Sequence, residues 1–122
     1  MYTVPAGQPK NFSSIPNITF ITVEWSAPDL WERNGIITHY FIEWGEIGNL
    51  ITLNYSVPNP TFNTTDDQRY TFRDLKPNTE YTFNIAAVNI NGTGSLVLNG
   101  MSTTLEEGND TYIKLCCITC EC

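Results

Sequence analysis

Strict alternation of apolar and polar residues, broken at short intervals by turn residues, constrains this chain more than any other feature. In ITFITVEW (residues 18–25), Ile21, Val23 and Trp25 share one face while Thr22 and Glu24 share the other, the period of a half-buried strand. SAPD ends that run, and Asn34-Gly35 supplies the turn before IITHYFIEW (36–44). There Tyr40, Ile42 and Trp44 lie on one face and His39, Phe41 and Glu43 on the other. LITLNYSV (50–57) follows GEIGN and is closed by Pro58 and Pro60, which cannot donate to a sheet ladder. RYTFRDL (69–75) carries Tyr70, Phe72 and Leu75. EYTFNIAAVN (80–89) sets Tyr81, Phe83, Ile85 and Ala87 against Thr82, Asn84, Ala86 and Val88. The turn NGTGS leads to SLVLNGMSTTL (95–105), and PKNFSSI (9–15) opens the series as an edge strand.

Seven strands at turn-bounded spacing, with no amphipathic helix among them, predict an all-β, seven-stranded antiparallel sandwich. Its two sheets should enclose Trp25, Tyr40, Ile42, Trp44, Phe72, Leu75, Tyr81, Phe83 and Ile85. A chain of 122 residues has room for one such domain with short flanks, and 41% apolar content suits a packed interior.

The segment LKPNTEY places Leu75, Pro77, Thr79 and Tyr81 at alternate positions, and this resembles the tyrosine corner of a fibronectin type III domain. VEWSAPD, NGIITHYFIEW and AAVNINGTGS fall in the order and at the separations of the same family. The resemblance covers residues 9–105 and implies an immunoglobulin-like sandwich in which Tyr81 bonds back to upstream backbone. Residues 1–8 then read as an N-terminal flank and 106–122 as a cysteine-containing tail or the start of a following segment. The stretch from Gly45 to Gln68 is longer and less regular than the family's middle strands.

All four cysteines, Cys116, Cys117, Cys120 and Cys122, stand in the last seven residues. The family typically folds without a disulfide, so the body should not depend on them. C-C-x-x-C-x-C is too compressed for the two separated ligand pairs of a structural zinc site. Disulfides within a following module or between chains, a lipidated run, and a terminus without a fold of its own all stay open.

Six N-x-Ser/Thr sequons occur, at Asn11, Asn17, Asn54, Asn63, Asn91 and Asn109. Random placement of this composition predicts about 2.3, so the excess points to the secretory pathway and an extracellular or cell-surface setting. None of the six is on an expected core face. MYTVPAGQPK lacks the apolar run of a signal peptide and no stretch could span a bilayer, so a secreted protein would contain this chain as one piece.

A net charge of −7 with only six Lys and Arg, and no basic cluster, argues against nucleic acid and anionic membrane surfaces as partners. Catalysis lacks its ingredients as well. His39 is the one histidine and faces away from the expected core, Asp66 and Asp67 fit a solvated turn, and NGTGS opens no phosphate-binding helix. No cofactor is implied.

What is left is a contact surface. Phe41 should lie beside Ala86 and Val88 as a modest apolar patch rimmed by His39 and Glu43. The resemblance implies a non-catalytic module of a modular cell-surface receptor or adhesion protein, serving as spacer and protein-interaction unit. Two alternatives are an accessory domain of a secreted enzyme and a matrix module cross-linked through its terminal cysteines. Neither an Arg-Gly-Asp motif nor a Trp-Ser-x-Trp-Ser box is present.

Overall fold

A computed structural model describes residues 3–61 and 67–107. Seven strands form in chain order: β1 (Lys10–Pro16), β2 (Ile21–Ser26), β3 (His39–Glu46), β4 (Asn49–Ser56), β5 (Gln68–Phe72), β6 (Glu80–Asn89) and β7 (Gly92–Thr103). A single 3-10 turn at Leu30–Glu32 lies between β2 and β3. The strands divide into a three-stranded sheet, β1-β2-β5, and a four-stranded sheet, β4-β3-β6-β7, with every pairing antiparallel.

The alternation seen in the sequence sorts side chains between the two sheets. Ile21, Val23 and Trp25 of β2 are fully buried and meet Tyr40, Ile42, Phe83, Ile85 and Ala87 of the opposing sheet. Removing each such aliphatic or phenyl side chain from water contributes about 1.5–3 kcal/mol. Aromatic rings run through the interior. Trp25 meets Tyr40 and Tyr55 edge-on at centroid distances of 5.5 and 5.1 Å, and Phe72 lies 4.7 Å from Trp44 and 4.9 Å from Phe83. The tyrosine corner forms as well: the Lys76 backbone N–H donates to Tyr81 Oη at 2.9 Å.

Two expectations change. Trp44, on β3, is half-buried against the core, because its sheet neighbour β4 and the strand it meets in the other sheet, β5, are both sheet edges and leave it open to one side. The strand read from residue 36 begins at His39: Ile36 is exposed, while Ile37 tucks into the core from the preceding loop. The N-terminal flank, from Thr3 onward, is laid against the sandwich. Asn89 Nδ2 donates to Thr3 O at 2.9 Å, Asn34 Nδ2 to Val4 O at 2.8 Å, and the Ala6 N–H to Glu32 O at 2.7 Å, with Pro5 and Pro9 buried beneath.

The irregular middle of the chain resolves into a tight β3–β4 hairpin. Glu46 pairs with Asn49 across Ile47-Gly48, and the register continues without a break to His39 opposite Ser56. Gly45 is required here: its φ is +141°, and a Cβ would sit 2.7 Å from Asn49 O.

Candidate protein-contact surfaces

The outer face of the four-stranded sheet follows directly from register. One row across it reads Asn54, Phe41, Ala86, Val97, and the rows on either side read Ser56, His39, Val88 and Thr52, Glu43, Asn84, Asn99. Phe41, Ala86 and Val88 therefore do lie together. Phe41, His39 and Val88 are half-buried and Glu43 is exposed. Ala86 departs from expectation: only 4% of it is exposed, because a methyl group between Phe41 and Val97 is overshadowed by its taller neighbours. The apolar centre of this face is thus Phe41 with Val88 and Val97. His39 Nδ1 and Thr38 Oγ1 are 2.9 Å apart, within hydrogen-bond distance.

A second surface was not singled out from the sequence. On the side where β4 and β5 end their sheets, an open groove of about 580 Å³ is floored by Trp44 and Phe72 and walled by Ile51, Leu53 and Tyr70. Ile51 is 57% exposed and Tyr70 38%. An adjoining hollow of about 320 Å³ shares Trp44 and Ile51 and ends at Lys76, whose Nζ lies 2.9 Å from Glu46 Oε2. The hydrogen bond to Glu46 and its charge both raise the Lys76 pKa. A cue was available: β4 carries Leu50, Ile51 and Leu53, apolar on both phases of the alternation, where a strand with one solvated face would carry one phase only.

Four of the six sequons lie among the described residues. Asn11, Asn17, Asn54 and Asn91 are all exposed, and so are their hydroxyl partners Ser13, Thr19, Ser56 and Thr93. Asn11 is in a β1 bulge with φ +59° and donates to Ser26 Oγ at 3.3 Å. Asn17 Oδ1 accepts the Ile18 N–H at 2.8 Å, and Asn91 Nδ2 donates to Thr3 O at 3.3 Å. Asn63, Asn109, Asp66 and the four cysteines Cys116, Cys117, Cys120 and Cys122 lie outside the described residues. Asp67 accepts a 2.7 Å hydrogen bond from Ser26 Oγ. Among the described residues, no three His, Cys, Asp or Glu gather as a metal site would require, and no helix is long and apolar enough to cross a membrane.

The family profile described as "Fibronectin type III domain" matches residues 7–99. Receptor-type tyrosine-protein phosphatase F of Mus musculus is 34% identical over 104 residues, which cover 84% of this chain and 5% of that protein. The neuronal cell adhesion molecule of Rattus norvegicus is 30% identical over 122 residues, 92% of this chain and 9% of that protein. The chain thus spans a small fraction of these relatives, and the catalytic part of the phosphatase is not shared. Among solved structures, the third fibronectin III domain of the human KIAA0343 protein superposes with a TM-score of 0.68 at 20% identity, covering 87% of each chain. Sheet order, tyrosine corner and family profile agree: the chain belongs to the fibronectin type III domain family.

Proposed function

We propose that the chain is a non-catalytic module in the extracellular part of a modular receptor or adhesion protein, where it acts as a spacer and a protein-contact unit. The observation that carries this reading is its membership of the fibronectin type III family alongside a receptor and a cell adhesion molecule. Exposure of both partners in all four described sequons supports the extracellular setting, since a glycan needs an unobstructed asparagine.

The spacer role follows from where the backbone enters and leaves. Thr3 is tied to Asn89 at the end of β6, while Thr103 pairs with Glu80 at its start. β6 has ten residues, so the two exits lie about 30 Å apart at opposite poles. Modules joined through such ends line up in tandem. The contact role falls to the outer face around Phe41, Val88, His39 and Glu43, where apolar groups are ringed by polar ones.

Expression behind a secretion signal in eukaryotic cells, followed by glycopeptide mapping, tests the setting. Glycans at one or more of Asn11, Asn17, Asn54 and Asn91 are expected. A folded, secreted chain with all of them bare contradicts the reading.

A further inference from the structure

Four strands form the open edges of the two sheets, and they are not equally protected against pairing with another strand. β1 carries Lys10 at one end, Pro16 at the other and a bulge between Lys10 and Ser13. β5 is only five residues long and holds Arg69 in an ion pair with Glu24. β7 is overlaid: a Cβ on Gly94 would lie 2.7 Å from Pro5 O, Phe12 covers Gly100, and the Ser14 and Ser102 hydroxyls meet at 2.9 Å. Charges, prolines, bulges, shortness and covering segments are the devices by which soluble proteins blunt sheet edges.

Among the described residues, β4 has none of these. NLITLNYS contains no charge, no proline and no glycine, and it stays in unbroken register with β3 for eight residue pairs. Leu50 is 41% exposed and Ile51 57%, so apolar side chains stand on both of its faces. The parity of its backbone bonds follows from the Val57 N–H, which donates to Thr38 O at 2.9 Å. Val57 shares its phase with Tyr55, Leu53 and Ile51, so those residues bond to β3. Leu50, Thr52, Asn54 and Ser56 direct their N–H and C=O groups away from it, toward the open edge. Asn54, within this strand, is an exposed sequon asparagine, and Ser56 completes the sequon.

We propose that β4 is a self-pairing edge whose occupant is β4 of a second copy of this chain, and that an N-linked glycan on Asn54 is the guard that keeps the edge closed. A second copy fits for three reasons. An uncharged strand can lie antiparallel against itself without setting like charges opposite one another, although the whole chain carries −7. Such pairing is two-fold and self-complementary, so it closes at a dimer. It also covers Leu50 and Ile51 in both copies at once. A glycan branching from the middle of the strand would block a partner in any register that uses most of its length. The glycan half of the proposal rests on the extracellular reading above; the pairing half does not.

Sedimentation velocity under reducing conditions, which removes any contribution from the tail cysteines, tests both halves. The secreted, glycosylated chain is expected to be a monomer. Asn54→Gln and Ser56→Ala, each deleting the same sequon in a different way, are expected to strengthen self-association at least about tenfold. Asn91→Gln, which removes a glycan elsewhere, is expected to leave the monomer unchanged. Adding Ile51→Lys to Asn54→Gln should restore the monomer by charging the edge.

Monomeric Asn54→Gln and Ser56→Ala chains at about 100 µM would overturn self-pairing. A dimer indifferent to Ile51→Lys would do the same, because it would use another surface. Glycans at Asn11, Asn17 or Asn91 with a bare Asn54 would overturn the guard while leaving the proposed function intact.

Discussion

Tyr81 reaches out of β6 to accept the backbone N–H of Lys76, five residues upstream, at 2.9 Å. The bond pins a loop that is otherwise hard to hold, since Asp74 and Asn78 both have positive φ, at 61° and 50°. The same loop is tied to the rest of the sandwich by the Leu75 N–H, which donates to Thr19 O at 2.9 Å. Tyr81→Phe keeps the ring packed and removes only the acceptor. A loss of about 1–2 kcal/mol is expected, read as a lower urea midpoint with an unchanged slope.

Phe12 and Gly100 form a second dependent pair. The Phe12 ring rests directly on the Gly100 backbone, leaving no room for a Cβ, and this contact joins β1 to the far edge strand of the other sheet. Gly100→Ala should therefore cost about 1–3 kcal/mol through overpacking. In a Phe12→Ala background the same change should cost markedly less, and a double-mutant cycle measures the difference.

High pH should unfold the protein through Tyr40. Burial pushes its phenol well above the ordinary value, and the Arg33 charge offsets this only in part. The folded state therefore keeps a proton that the unfolded chain releases near pH 10. Stability from this group is fully present below that pH and declines as pH rises above it. Urea midpoints measured from pH 8 to pH 11 should fall at the alkaline end, and Tyr40→Phe should flatten that fall.

Much of this architecture is legible in the sequence because period-two alternation reports which sheet face a residue occupies. That rule places Trp25, Tyr40, Ile42, Phe83 and Ile85 inside, and all five are buried. Alternation is silent about distance from a sheet edge. Trp44 and Tyr70 obey the strand period, yet one is half-buried and the other 38% exposed, because both line the open side of the sandwich where the edge strands β4 and β5 end their sheets. It is equally silent about the height of neighbouring side chains, which is why Ala86 is shielded on an outward face. The docking of Thr3, Val4 and Ala6 depends on the side-chain amides of Asn89 and Asn91 donating to Thr3 O, that of Asn34 donating to Val4 O, and the Ala6 N–H donating to Glu32 O, and such contacts leave no periodic trace.

The central physical claim is that side chains sealed between two sheets, without covalent cross-links, hold this module together. Urea unfolding of residues 3–107 alone, cut before the cysteines and kept in reducing buffer, tests it most directly. The account predicts a β-rich far-ultraviolet spectrum and one cooperative transition matching that of the full chain. A truncated chain without a cooperative transition, or one that gains structure only when the terminal cysteines are restored and oxidised, would contradict it.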